Sequence, residues 1–428
     1  MSFPVLARWH RSWPGRLIRR AVPVPFGWHT RYLVRSYCRQ TILVTCAILT
    51  IALSIDLTFY LSKVLATISL WQTSWVSIHL ARYVVLRGTD FLAELLPLAS
   101  FFGVFWAEVE HTFSRERLIV WLSGRTPQQC LLPVLLFGVF VGGVQLALNY
   151  YLRPLAVMAM AKDHLGFYGE RFDPRPQPDP RWAAAGRDVI QAIVEPGDPP
   201  SLRDVNIYRM NKELSLQTFF RAKAARPVKA GEWLLIDGYQ WSPPQMSDED
   251  GPNSAKPPPA AIEPAPFAEK MIDLDISPTW ISNDRVNARY LTNDIFTALG
   301  KEHFFPDFEY RTWEHARWSL PLFCIAMPFL ATSLSLLLLA RKIAFAQLAI
   351  IAVMGYMANA LMKVFILLGE HGHIPALVAG WLVPVTTLAV CFALTFVRFS
   401  SKASQGSGEQ LVHATHDLDT RRFFTARK

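Results

Sequence analysis

Ionisable side chains set within long apolar runs are the first candidates for chemistry in this chain. Asp56 lies in the outer third of the run 41–61, Glu94 in the run 91–108 and Lys363 in the run 344–368. A carboxylate at mid-depth in a bilayer costs roughly 3 kcal/mol on insertion scales, and less near the interface, so it faces protein or water. Asp56 is either a pathway residue or one that reaches out to the nearby interface, with Lys63 just beyond it. His371 and His373 share a tight turn and could ligate a metal, although two histidines so spaced are a weak pattern and suit a solvated turn as well. Cys38, Cys46, Cys130, Cys324 and Cys391 fall in or beside apolar runs with no CxxC spacing, and read as packing residues. No GxxxxGKS/T, HExxH or GxSxG sequence occurs, so no catalytic residue, bound cofactor or metal is expected, nor ATP hydrolysis by the chain itself.

A second group lies between two apolar runs. Ser114 is placed to cap a short helix with Glu116 in its first turn and Arg117 beside it. Leu118, Trp121 and Leu122 fall on one face at i, i+3, i+4 spacing. Gly124 ends the helix and Pro127 starts the next. Such an amphipathic helix, near 114–123, can transmit force to a soluble partner or simply pack on lipid.

The elements that must position these residues are membrane helices. Six apolar runs, at about 41–61, 91–108, 130–152, 318–340, 344–368 and 374–397, approach the roughly 20 residues a helix needs to cross a hydrocarbon core. Charged residues make up 18% of the chain and mean hydropathy is +0.20. A soluble domain carries about 25% charge, so one large soluble protein is excluded. Pro97 should kink the second span.

The net charge of +9 reads as topology. The first forty residues hold Arg8, Arg11, Arg16, Arg19, Arg20, Arg31, Arg35 and Arg39 and no acidic residue, which keeps that side in the cytoplasm. Arg341, Lys342, Arg398, Lys402, Arg421 and Arg422 agree after an even number of crossings. The first run is too long for a signal peptide and reads as a retained span. Residues 62–90, with Trp71, Trp75, Ile78 and Leu80, suggest an external connection whose helix lies along the interface. The polar block 161–316 then faces the opposite side of the membrane, and its mixture of both charge signs argues against nucleic acid.

That block alternates as β-strands do. Candidate strands are 189–194, 205–210, 214–224, 232–241 and 267–276, which predicts an all-β sandwich or open roll. Residues 242–266, rich in Pro, Asp and Ala, read as a disordered loop, 172–180 as a stiff loop, and 283–300 as helical. The fold class expected is an α-helical membrane protein with six transmembrane helices and a jellyroll-like all-β domain inserted between helices 3 and 4. Its parts are a basic arm 1–40, spans 41–160, the β domain 161–316, spans 317–398 and a tail 399–428.

This layout, with its motifs, resembles the lipopolysaccharide export permease family of the LptF/LptG type, from about Tyr32 to Arg398. Leu96-Pro97-Leu98 through Glu116 to Ser123-Gly124 is similar to the family's proline-containing span and the acidic stretch after it. Asn149-Tyr150-Tyr151-Leu152-Arg153-Pro154 resembles its exit from span three, Arg317-Trp318-Ser319-Leu320-Pro321-Leu322 its opening of span four, and Ile374-Pro375-Ala376 to Pro384 its opening of span six. The resemblance implies a non-catalytic permease half of an ABC exporter in the bacterial inner membrane, with the β domain periplasmic. It would pair with a paralogous permease around a cavity for lipopolysaccharide. A cytoplasmic LptB-type ATPase dimer would spend the ATP and grip the loop helix at Glu116, Arg117, Leu118, Trp121 and Gly124. An LptC-type bitopic protein and a periplasmic bridge would receive the lipid by β-augmentation. Spans one and five would form the lateral gate, and Asp56, Lys63, Glu94, Pro97 and Arg317 would line the cavity or gate. Val205-Asn206-Ile207-Tyr208 and Ile374-Pro375 lean toward the G-type paralogue. The competing readings are a secondary transporter and a membrane-anchored envelope assembly protein.

Overall fold

A computed structural model describes residues 27–70, 75–122, 127–172, 180–195, 197, 199–213, 215–229, 231–243, 263–274, 276–283, 286–301, 308–339 and 344–395. Most of the basic arm, most of the proline-rich loop and stiff loop, and the C-terminal tail lie outside these residues. The described chain forms two compact units. One takes in the residues up to Phe59, Arg87–Arg153 and those from Phe308 onward; the other takes in Tyr60–Leu86 and Pro154–Asp307.

Helix α1 runs Trp28–Leu70 and α2 runs Val76–Phe113. A short α3, Glu116–Leu122, follows. Then come α4, Pro127–Ala147, a π-helical turn Leu148–Leu152 and α5, Arg153–Lys162. After the β-rich segment, α9 (Phe308–Leu338), α10 (Phe345–Glu370) and α11 (Ala376–Thr395) complete the helices. Among the described residues, six helical stretches are long and apolar enough to cross a membrane: α1, α2, Leu131–Lys162, α9, α10 and α11. The chain is a multi-pass membrane protein. Of the most apolar stretch of each, 6% is buried in α1 against 72% in α9, so α9 is the central helix of its unit and α1 is turned almost wholly outward.

Two of the helices carry backbone breaks that neighbours repair. Pro97 in α2 has no N–H to offer the carbonyl of Ala93 four residues back. Gln145 of α4 donates to that carbonyl from Nε2 at 2.8 Å. Pro154 creates the same problem in the third span. There the preceding π-helical turn carries an Arg153 N–H to Leu148 carbonyl bond, and the widened turn accommodates the proline ring. Close approach of α4 and α9 depends on Gly142, where a Cβ would lie 2.9 Å from the Pro321 carbonyl oxygen. The turn after α10 uses Gly372 at φ +72° to close the helix, with His373 N–H donating to the Leu368 carbonyl.

Residues 62–70 and 76–90 are helical, as their sequence suggests. They extend α1 and α2, because no glycine or proline interrupts 62–70 and Val64 and Ile68, one turn apart, are fully buried in the second unit. Helix α1 likewise begins at Trp28, well before Thr41.

The second unit adds α6 (Gly166–Arg171) and six strands: β1 (Arg181–Ala185), β2 (Asp188–Glu195), β3 (Ser201–Met210), β4 (Leu216–Lys229), β5 (Glu232–Trp241) and β6 (Ala265–Asp273). They form one antiparallel sheet in the order β1 to β6, with every neighbour consecutive in sequence. Among the described residues one sheet, not two, encloses the core, so the open roll and not the two-sheet sandwich describes it. Ile190, Ala192, Val205, Ile207, Phe220, Ala222, Trp233, Leu235 and Ile272 share the buried face. Trp233 is completely buried and its Nε1 donates to the Ile276 carbonyl at 3.0 Å. Strand β1 was not expected, because its Arg-Trp-Ala-Ala-Ala sequence lacks the β-branched residues that mark strands. Helix α7 (Pro278–Asn283) follows β6, and the expected 283–300 helix holds two short pieces, a 3₁₀ turn Ala288–Tyr290 and α8 (Asn293–Lys301). This sheet, between the third and fourth spans, matches the inserted β domain expected from the sequence.

Candidate functional site

Two polar clusters lie within the helical unit, one toward each end of α2. The first grows from helical spacing. Arg87, Asp90 and Glu94 follow one another at i, i+3 and i+7, which puts them on one face of α2. Asp56 of α1 meets this face: its Oδ1 accepts from Arg87 Nε at 2.8 Å and lies 2.7 Å from Nη2. Arg87 Nη1 reaches Asp90 Oδ2 at 3.0 Å. Arg153, opening α5, donates from Nε to Asp90 Oδ1 at 2.8 Å and from Nη2 to Glu94 Oε1 at 2.6 Å. Asp56, Arg87, Asp90 and Arg153 are all buried. The face of Phe91 lies 4.4 Å from the Arg87 guanidinium carbon. Three spans are thus joined by alternating charges, which is how buried ionic groups are tolerated in an apolar setting.

The second cluster stands where α2 gives way to α3. Arg115 adopts a left-handed conformation at φ 57° and makes the break. The cap expected at Ser114 does not form; its hydroxyl donates back to the His111 carbonyl at 3.3 Å. That bond belongs to the end of α2, so the chain turns at Arg115 and α3 begins without a serine cap. Glu116 accepts from His111 Nδ1 at 2.7 Å and from the Tyr32 hydroxyl at 3.2 Å, while keeping 39% of its side chain exposed. Arg117 turns inward, is buried, and donates from Nη2 to Glu108 Oε2. The other Glu108 oxygen accepts from the Tyr37 hydroxyl of α1 at 2.5 Å and from Thr332 of α9 at 3.3 Å. Gln40 of α1 donates to Glu110 at 2.7 Å, a further tie between α1 and α2. A cavity of about 20 Å³ lies beside Glu108, with His29, Val120 and Leu336 on its wall.

The structure brings Asp56 and Glu94 into one network and Glu116 and Arg117 onto one helix end. Pro97 lies one turn beyond Glu94 and acts through its missing N–H. Arg317 is buried on α9 with its guanidinium carbon 5.9 Å from the centre of the Tyr150 ring, and Trp318 packs edge-on to that ring at 5.3 Å. Lys63, in the second unit, is exposed with its Nζ 5.7 Å from the centre of the Tyr60 ring. Lys363 lies on an exposed face of α10. Leu118 and Trp121 have α3 backbone, but their side chains, and Gly124 altogether, lie outside the described residues. His371 Nδ1 is engaged with the Leu367 carbonyl at 2.8 Å, and its ring lies parallel to that of His373 with centres 6.4 Å apart. Among the described residues, no group of three or more His, Cys, Asp or Glu side chains is placed to hold a metal. Cys324 and Cys391 are buried, while Cys46 is exposed.

Sequence reasoning passed over Arg87, Asp90, Glu108 and Tyr37. The 3–4 spacing of Arg87, Asp90 and Glu94 was a readable signal. Nothing local in the sequence links Glu108 to Arg117 or to Tyr37. The sequence matches a family model over residues 31–396, that of the Lipopolysaccharide export system permease LptF/LptG. A search among curated proteins gives no match to this chain. Six apolar helices, a six-stranded sheet between the third and fourth, and a match across most of the length lead to one conclusion: the chain belongs to the lipopolysaccharide export permease family LptF/LptG.

Proposed function

We propose that this chain is the transmembrane half of an ABC exporter that extracts lipopolysaccharide from the bacterial inner membrane, and that it performs no chemistry itself. A paralogous permease completes the cavity, and a cytoplasmic LptB-type ATPase dimer supplies the motor. The β domain lies in the periplasm. It hands the lipid, with an LptC-type bitopic protein, to a periplasmic bridge through an open edge of its sheet. The uncovered apolar faces of α1 and α10 suit the lateral gate and the partner permease. Asp56, Lys63, Glu94, Pro97 and Arg317 are the candidates for the lipid path, and of these Arg317 and Lys63 carry the charge that suits lipid phosphates.

The observation that carries this reading is α3. A seven-residue helix is too short to be stable alone, yet it is moored between two spans with a half-exposed carboxylate, Glu116, at its first turn. That carboxylate suits a basic group on a soluble partner, and Leu118, Trp121 and Gly124 follow on the same segment. The test is co-purification of the chain with candidate ATPases, comparing wild type with Glu116→Arg, and reading ATP turnover with and without lipopolysaccharide. A retained ATPase whose lipid-sensitive turnover disappears in the variant supports the reading. Wild type that retains no ATPase removes the motor.

A second reading, an ion-coupled secondary transporter, draws on the buried carboxylates Asp56, Asp90 and Glu94. Each is already engaged by a guanidinium, which suits a fixed structural network. Uptake or efflux driven by a proton gradient without ATP would favour this reading over the exporter.

A further inference from the structure

Resting on the exporter reading, we infer that Glu108 and Arg117 are positioning residues that make α3 move with the bundle and not independently of it. Glu108 is buried near the end of α2, and its two oxygens gather donors from three other helices: Arg117 of α3, Tyr37 of α1 and Thr332 of α9. The backbone between Glu108 and Arg117 contains the left-handed break at Arg115. Without a tie across that break, a push on α3 would be absorbed there as rotation of two backbone angles. The buried pair bridges it from within, beside the half-exposed His111–Glu116 contact that crosses it at the surface. Separating the two charges would strand both away from water, which is far costlier than moving them together.

Both side chains are buried, Arg117 at 8% and Glu108 at 6% exposure, and the cavity beside them is small, about 20 Å³. Glu116 and Arg117 are adjacent and divide the work. The first keeps an exposed carboxylate at the surface, and the second is anchored inward. A load taken up at the exposed side of α3 therefore reaches α2 through Arg117 and Glu108, and reaches α1 and α9 through the same carboxylate. The clasp acts through α3.

The experiment uses the full chain co-purified with its ATPase and partner permease and reconstituted into lipid vesicles carrying lipopolysaccharide. It reads lipid released per ATP hydrolysed, a ratio that loss of folded protein does not move. The variants are Glu108→Leu/Arg117→Leu, which replaces the pair by apolar packing, and Glu108→Arg/Arg117→Glu, which restores it reversed; the Tyr37 and Thr332 hydroxyls can accept as well as donate. The apolar pair should lower lipid per ATP about fivefold or more, the low end of usual coupling between sites, and the reversed pair should recover most of it. Should the apolar pair fail to assemble, the isosteric Glu108→Gln carries the same expectation. Wild-type coupling in the apolar pair or in Glu108→Gln would overturn the proposal, as would a reversed pair no better than the apolar one. A wild-type complex that hydrolyses no ATP or releases no lipid fails earlier, and that failure belongs to the exporter reading.

Discussion

Gln145 supplies the hydrogen bond that Pro97 withholds. The proline in α2 cannot donate to the Ala93 carbonyl, and the Gln145 amide, arriving from α4, takes its place at 2.8 Å within the buried interior. Kink and repair are therefore one feature shared by two spans. Gln145→Leu should leave the Ala93 carbonyl unsatisfied and lower stability by about 1 kcal/mol. Pro97→Ala/Gln145→Leu should recover most of that, because the new N–H at position 97 closes the helix bond. Thermal unfolding of the purified chain in detergent checks both. A double variant as unstable as Gln145→Leu alone would show that the repair role is wrong.

The alternating network of Asp56, Arg87, Asp90, Arg153 and Glu94 predicts an asymmetry. Arg87→Leu removes the guanidinium that Asp56 and Asp90 share, and should cost about 3–5 kcal/mol, the usual penalty for removing one partner of a buried pair. Asp56→Leu/Arg87→Leu should be the milder change, because Asp90 keeps Arg153. The comparison is made by the fraction of each variant that stays monodisperse in detergent as temperature rises. Equal loss in single and double variants would mean that Arg87 matters for something other than charge balance.

Much of this architecture was readable from residue type and order, and the reason is physical. Lipid forces each crossing to be apolar for a fixed length, so the spans announce themselves, and alternation in β3 and β5 follows from one buried face. Charge set within apolar runs singled out Asp56 and Glu94, and the family resemblance singled out Glu116 and Arg317 as candidates. What could not be read is pairing at a distance. Arg117 was conspicuous in a segment otherwise apolar on that face, but its partner Glu108 lies across a backbone break, and Tyr37 and Thr332 come from separate helices. The failure of Ser114 as a cap has a similar origin: its hydroxyl found the end of the preceding helix before the start of the next.

Neighbouring glycines in α4 make opposite predictions. A Cβ at Gly142 would meet the Pro321 carbonyl oxygen at 2.9 Å and Ile325 Cγ1 at 2.8 Å, whereas nothing lies within 4 Å of one at Gly143. Gly142→Val should push α4 from α9 and cost about 1–3 kcal/mol, as overpacking does. Gly143→Val should be neutral or slightly stabilising for the isolated chain, since glycine is a poor helix former. Melting temperatures of the two variants decide the matter, and a larger loss at position 143 would reverse the assigned faces of α4.

The β-rich unit carries its own prediction. Trp233 is fully buried at the centre of the sheet's covered face and is tied by its indole N–H to the Ile276 carbonyl. Trp233→Ala removes the largest side chain of that core and should cost about 3–5 kcal/mol, whereas Trp233→Phe keeps most of the volume and loses chiefly the hydrogen bond. Brief proteolysis of the full chain in detergent separates the two. Trp233→Ala should become sensitive to cleavage between 181 and 273 while the fragments containing the spans persist, and Trp233→Phe should resemble wild type. Protection of Trp233→Ala across that region would mean that the sheet's stability comes from its cross-strand pairs, such as Tyr208 with Phe219 on the opposite face, more than from the enclosed core.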